Sequence, residues 1–388
     1  MTEVVIVDAV RTPTGRFQGA LAEYRATELG AKVIAALKER NGLKGDDLDE
    51  VILGQVVQAG AGQAPARQAA VRGGLSPEVP AFAVNKVCGS ATKAVILAAQ
   101  AIKAGDAKAI IAGGMESMTN APYALPGARA GFRLWDQQVK DLLVYDGLWC
   151  NFEDKHMGVA AEYTAKKSGI SREEQDRFAY ESHMKAARAT EAGKFKEEIV
   201  PIPFKDAVLE RDETIRPDTA LEKLAKLKPV FQEGGTVTAG NSPGLCDGAS
   251  AVLVMAKEEA KRRGLRPLAE IVGYAVAGVE PIELFYGPVF ATRMLLDKLA
   301  VKIDFFDLIE VNEAFAAQTL ADGKELGWDW QRVNVNGGAL ALGHAIGSSG
   351  TMNLTTLIYE LRRRGLEHGL TTICMGGGTA ASLAIKTL

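Results

Sequence analysis

The sequence predicts an α/β fold made of two duplicated, β-α-β-rich halves with a loop-rich segment inserted into the first. Three observations predict it. Short β-branched or apolar runs alternate with helical periodicities at both ends of the chain. One unit occurs twice, over 81–114 and over 333–377: a strand closed by a Val-Asn step, a glycine turn, a helix, and a strand closed by paired glycines. Between Thr119 and about Gly240 the apolar runs shorten while prolines and charges become more frequent. The expected division is a first half over 1–118 with 241–268, an inserted domain over 119–240, and a second half over 269–388.

Size and composition suit this class. A chain of 388 residues holds two or three units at roughly 150 residues each. Hydrophobic residues make up 47% and glycine is abundant at 41 residues, as in a large buried core. The net charge is −3 with both signs interspersed, and no basic stripe points to nucleic acid. The cysteines at 88, 150, 246 and 374 are far apart, so neither a metal site nor a disulfide framework is expected. No apolar run at the N-terminus reads as a signal peptide and none is long enough to span a membrane. A soluble protein of the reducing cytoplasm is expected.

The elements follow in order. Val4–Val7 (VVIV) reads as a strand buried on both faces, closed by Arg11-Thr12-Pro13. Thr27–Arg40 has helical spacing and stops at Asn41-Gly42. Val51–Leu53 is a further strand. Gly60–Pro65 partly matches a dinucleotide-phosphate loop, but the third glycine is missing and a proline follows. A strand ending at Asn85, the turn Cys88-Gly89-Ser90, and a helix to about Lys103 come next. That helix is apolar nearly all round, hence central. The strand from Ala109 ends in Gly113-Gly114. Cys88 therefore sits at a helix N-terminus, where free N–H groups and the helix dipole favour a thiolate. The alternative is a small buried hydrophobe.

In the inserted segment, His156-Met157-Gly158 opens a helix. Ser171 to Glu174 is a capping box for another that ends at Gly193. Arg216 and the lysine-rich run 223–228 are either a solvated face or contacts for a phosphate-bearing ligand. Strands return at Ala251–Met255 and Ala269–Val276, then a helix from Gly287-Pro288 to about Leu299 and the strand Asp307–Val311. Asn312-Glu313, before the helix Ala316–Leu326, is a helix cap or a site.

Val333–Gly350 (VNVNGGALALGHAIGSSG) is uncharged and has five glycines and a single histidine. It reads as a short strand at Val333 and Val335, a turn at Asn336-Gly337-Gly338, and a loop that leads into a helix. His344 there is a satisfied turn residue or an acid–base group. The strand Thr371–Ile373 runs into Cys374-Met375-Gly376-Gly377-Gly378. The duplication places Cys88 and His344 at equivalent corners.

These motifs together resemble the thiolase family over essentially the whole chain. VNKVCGS at 84–90, GGMESMTNAPY at 113–123, HMG at 156–158, VTAGN at 237–241, NEAFAAQ at 312–318, NGGALALGHAIGSSG at 336–350 and CMGGG at 374–378 carry the resemblance. It implies a thiolase-like five-layered αβαβα fold with an inserted loop domain. It implies reversible Claisen condensation of two acetyl-CoA to acetoacetyl-CoA and free coenzyme A, or thiolysis of longer 3-ketoacyl-CoA. A thiolase-like acyl-CoA or lipid-binding protein without turnover is the non-enzymatic alternative.

The resemblance implies roles as well. Cys88 is the nucleophile and Cys374 the acid–base group. His344 activates Cys88 and, with a water held by Asn312, binds the thioester oxygen. The N–H groups of Cys88 and Gly376 form a second oxyanion hole. Leu148, His156, Met157, Arg216, Phe231, Ala239, Leu245 and Phe315 contact coenzyme A, with Arg216 and Phe231 at the nucleotide end. Coenzyme A thioesters are substrates, so no resident cofactor or metal is expected. A homotetramer or homodimer is implied, with tetramer contacts over 119–145. The chain departs from the family pattern at Ala91, Pro243, Cys246, Leu284-Phe285, Ala345 and Ala380.

Overall fold

The computed structural model describes residues 2–388. Val4–Arg11 (β1) is buried along its whole length. Its side chains alternate: Val4 and Ile6 join a central core, Val5 and Val7 an outer one. Four longer strands join it in its half: Glu50–Gly54 (β2), Ala81–Val84 (β3), Ala109–Ser117 (β4) and Cys246–Ala256 (β5), the last also pairing with the two-residue strand Gly15–Arg16. The second half holds Ala269–Gly278 (β6), Leu308–Val311 (β7), His368–Met375 (β8) and Thr379–Thr387 (β9).

The strand order is β7-β8-β9-β6-β1-β5-β4-β2-β3. The halves meet at a short antiparallel seam, Val5 with Glu270 and Ile6 with Ala269. Outward from the seam both sides repeat one pattern, two antiparallel steps and then parallel ones. On the second side the last parallel step is a single bridge between Ile309 and Val333. The strand expected across Val333 and Val335 is thus reduced to one residue. Asn334 turns to φ +43°, and its side chain takes over the ladder, accepting from Val311 N–H and donating to Val311 C=O, each at 2.9 Å.

Among the described residues, eight helices of eight residues or more flank the strands: Ala26–Arg40 (α1), Pro65–Arg72 (α2), Ser90–Ala104 (α3), Met157–Ser168 (α4), Arg172–Glu191 (α5), Gly287–Leu299 (α6), Ala316–Leu326 (α7) and Ser349–Arg364 (α8). The central core joins Val95, Ala98 and Ile102 of α3 with Leu354, Leu357 and Leu361 of α8. Inward side chains from both halves of the sheet, Ile110 and Val254 on one side and Ile373 and Leu383 on the other, pack on them. α1 and α2 cover the outer face of the first half, and α6 that of the second. The layers therefore run α, β, α, β, α.

Two elements lie outside the sequence expectations. α2 follows the partial phosphate-loop match, with Pro65 in its first turn. β9 carries small residues (TAASLAIKT) without strict alternation, because both its faces are covered. The capping box at Ser171 forms as the sequence predicts, Ser171 N–H to Glu174 at 2.7 Å and Glu174 N–H to Ser171 Oγ at 3.2 Å.

Among the described residues, 119–240 add no strand to the large sheet. A buried ion triad ties this segment to β1. Arg11 Nε donates to Glu198 at 2.7 Å, and its two terminal nitrogens donate to both oxygens of Asp212 at 2.7 and 3.0 Å. Removing one partner strands the other charge in a dry interior. Asp212→Ala is expected to lower stability by about 3–5 kcal/mol, read as a drop in the thermal midpoint.

Candidate active site

The two turns that open the central helices bring the site together. After β3 the chain folds sharply into α3. Ser90 Oγ accepts Lys86 N–H at 2.8 Å and donates to Val87 C=O at 2.6 Å. Asn85 Oδ1 accepts Val87 N–H at 3.0 Å. These contacts hold Val87 at φ +47°, which for a β-branched residue stores about 1–3 kcal/mol of strain. Cys88 follows immediately. Gly89 lets the turn seat on β8, since a Cβ there would lie 2.0 Å from Met375 Cε.

The Cys88 sulfur accepts N–H groups from its own backbone and from Gly376. Burial nevertheless pushes the thiol up to about 12, and the Glu116 charge adds to the rise. The thiolate expected from the helix N-terminus is not the resting form: desolvation outweighs the two N–H donors. Cys374, near the end of β8, is buried where Cys88 is half-buried, and its thiol is raised well above the ordinary value by burial and then by Cys88. Both thiols therefore rest protonated, and a charge on one opposes a charge on the other.

His344 lies in the loop before α8. Its Nδ1 is 2.7 Å from Ser349 Oγ, which donates to Ala345 C=O at 3.0 Å. With the Ser349 proton directed to Ala345, Nδ1 carries the ring hydrogen and Nε2 keeps its lone pair. Burial lowers His344 to about 4, so the imidazole is neutral at physiological pH. Asn312 Nδ2 lies 3.5 Å from Nε2, and Asn312 Oδ1 is buried without a protein partner.

Asn312 and Glu313 do not cap α7, whose N-cap is Phe315 without a side-chain bond. Glu313 is a buried tie instead. It accepts from Ser182 on α5, Asn334 and Leu340 N–H at 2.8, 2.8 and 3.0 Å.

A single cavity of about 480 Å³ gathers Cys88, His344, Cys374, Gly376, Leu148, His156, Met157, Arg216, Phe231, Ala239, Leu245 and Phe315. Asn312 alone of the expected site residues is not on its wall; it stands behind His344. His156 caps α4 through Nδ1, which accepts Gly158 N–H at 3.0 Å, and its ring stacks on Phe231 with centroids 4.7 Å apart. Phe231 and Phe285 both meet Phe315 edge-on, at 6.0 and 5.3 Å. Arg216 N–H donates to His183 Nδ1 at 3.1 Å, and burial lowers His183 to about 4, keeping it a neutral acceptor. The lysines of 223–228 do not line the cavity, and Lys223 pairs with Asp218 on the exposed surface.

Sequence reasoning missed several wall residues. Met118, Val144, Gly147 and Ile346 line the cavity but sit in stretches with no periodic pattern. Leu284 and Phe285, noted as departures, form the wall beside Cys374. Ser349 and His183, which hold His344 and Arg216, become recognisable only once the chain is folded.

Two protonated thiols and a neutral imidazole around one mostly apolar cavity, on a duplicated αβαβα frame, define an enzyme of the acyl-transferring class. The chain belongs to the thiolase family. Residues 4–258 match the thiolase N-terminal domain and 265–387 the thiolase C-terminal domain. It is 54% identical to an acetyl-CoA acetyltransferase of Pseudomonas aeruginosa over 99% of both chains. It is 51% identical to an acetyl-CoA acetyltransferase of Cupriavidus necator over the full length of both. It superposes on the crystal structure of the Bacillus anthracis acetyl-CoA acetyltransferase with a TM-score of 0.97 at 42% identity, covering 100% of this chain and 99% of that one.

Because Asn312 is the buried donor nearest His344 Nε2, Asn312→Ala is expected to lower kcat by about 10²–10³-fold. Steady-state thiolysis of acetoacetyl-CoA measures this.

Proposed function

We propose that the chain is an acetyl-CoA C-acetyltransferase that reversibly joins two acetyl-CoA into acetoacetyl-CoA and coenzyme A. The observation that carries this reading is the convergence of Cys88, Cys374, His344 and the Gly376 N–H on one cavity. In the first half-reaction, His344 Nε2 takes the Cys88 proton as sulfur attacks the acetyl carbonyl. Coenzyme A leaves as its thiolate and takes its proton from Cys374, which leaves Cys374 a thiolate and His344 protonated on Nε2. The product is acetyl-Cys88, and the scheme is ping-pong. In the second, Cys374, acting as a thiolate, takes the α-proton of the next acetyl-CoA. The enolate carbon bonds to the acetyl carbonyl carbon, and Cys88 sulfur leaves and is reprotonated by His344, while Cys374 keeps the α-proton and returns to its resting thiol.

Charge develops at two oxygens. The N–H groups of Cys88 and Gly376 already point at one place in the free protein, which suits an oxyanion on the acetyl-Cys88 carbonyl. His344 with a proton on Nε2, and a water held at the unpartnered Asn312 Oδ1, suit the thioester oxygen of the enolate. Coenzyme A in this reading lies along Leu148, His156, Met157, Ala239, Leu245 and Phe315, with Arg216 and Phe231 toward the nucleotide. The reaction needs no resident cofactor or metal.

The exposed hairpin of residues 123–124 and 140–141 carries Leu134 and Trp135, 71% and 86% exposed. That supports an assembly of dimers into a tetramer through this arm. Four free cysteines favour the reducing cytoplasm. Among the described residues no helix is long and apolar enough to cross a membrane.

Intact mass after mixing with acetoacetyl-CoA is expected to show an acetyl adduct that Cys88→Ala abolishes; a protein that binds coenzyme A without any adduct would refute the enzymatic reading. Phe285 closes the wall beside Cys374, and its ring is locked against Phe315. Phe285→Ala is expected to raise kcat/KM for longer 3-ketoacyl-CoA by roughly tenfold or more relative to acetoacetyl-CoA, measured over a chain-length series. Replacing Leu134 and Trp135 by Asp together is expected to leave dimers in light scattering.

A further inference from the structure

Glu116, the penultimate residue of β4, is buried beneath the site, and none of the acyl-transfer steps uses it. Its carboxylate accepts Val56 N–H at 2.8 Å and Val57 N–H at 3.3 Å from the loop after β2, and Gly347 N–H from the loop that carries His344. Gly347 has to be glycine for this contact, since a Cβ there would lie 2.6 Å from Glu116 Oε2. From Val56 the hydrogen bonds continue. Its C=O accepts Asn85 Nδ2 at 3.1 Å, and Asn85 Oδ1 accepts the N–H of Val87, the strained residue before Cys88. One carboxylate thus links the histidine loop to the nucleophile turn.

We propose that Glu116 is a positioning residue that holds the His344 loop and the Cys88 turn in the relative placement acyl transfer needs. It touches neither substrate nor the reacting atoms, and the proposal rests on the acetyltransferase reading above. The ionised carboxylate has acceptor sites for all three N–H groups, whereas the acid form turns one of those sites into a donor. Burial pushes Glu116 up to about 7, against the pull of the three N–H groups. Asp247 on β5 pushes it further the same way, and the Cys88 thiol faces it from the turn. Because the folded value is raised, the ionised clamp is complete above that pH and is lost as the pH falls through it.

The test is thiolysis of acetoacetyl-CoA by the full chain across the pH range on both sides of neutrality, in wild type, Glu116→Gln and Asn85→Ala. Wild-type kcat is expected to fall on the acid side with a midpoint near 7. Glu116→Gln is expected to lower kcat by about 10- to 100-fold with KM within about twofold, and to remove the acid limb. Wild-type turnover in the same assay separates failure of this inference from failure of the acetyltransferase reading. A Glu116→Gln enzyme with wild-type kcat, one whose KM rises as much as its kcat falls, or one that keeps the acid limb would overturn the proposal. If Glu116→Gln does not fold, Asn85→Ala decides: the same kcat-selective loss supports the linkage, and wild-type kcat overturns it.

Discussion

The molecule depends on the sharing of one helical layer by two sheet halves. α3 and α8 bury apolar side chains against strands from both halves, so neither half completes its core alone. The two helices are entered by the two glycine turns, and the common core fixes those turns at one end of the layer. Close approach of backbone follows. A Cβ on Gly114 would lie 1.9 Å from the carbonyl oxygen of Gly347, so the histidine loop rests directly on β4. Cys88, His344 and the β8 end with Cys374 and Gly376 meet there because the packing leaves the turns no other place.

Burial sets the chemistry of what meets. The same desolvation that raises both thiols lowers the imidazole, so all three groups rest uncharged. A base that is neutral and a thiol that is protonated are the correct starting forms for a proton transfer coupled to attack. The donors, by contrast, are fixed beforehand. N–H groups of Cys88 and Gly376 already converge, and the water-excluding walls formed by Phe231, Phe285 and Phe315 raise their worth to a developing charge.

Much of this was legible in the sequence, for reasons that differ by residue. Cys88 and His344 stand at turns marked by glycines, and the local pattern exposes them, whereas the role of Cys374 came through the family resemblance. β1 and α3 declare themselves by unbroken apolar runs. The coenzyme-contact residues emerged only through resemblance to a family, because Leu148, Ala239 and Leu245 lie in irregular chain without periodicity. At Cys88 the helix N-terminus that favours a thiolate is visible in the sequence, and the burial that opposes it is not. The second strand residue at Val335 failed because the Asn334 side chain replaces a backbone ladder, a substitution that alternation does not encode. Glu116 and His183 act on residues far away in the chain, and only packing reveals their partners.

The raised thiol of Cys88 has a consequence outside the catalytic cycle. Peroxide and electrophiles attack thiolates, and susceptibility follows thiolate character and access. With Cys88 pushed up to about 12, the charged form is a small minority at neutral pH. Nucleophilicity is released only when His344 takes the proton from a thiol with its electrophile in place. The resting thiol is thereby a poor target for oxidants compared with a thiolate in the same place.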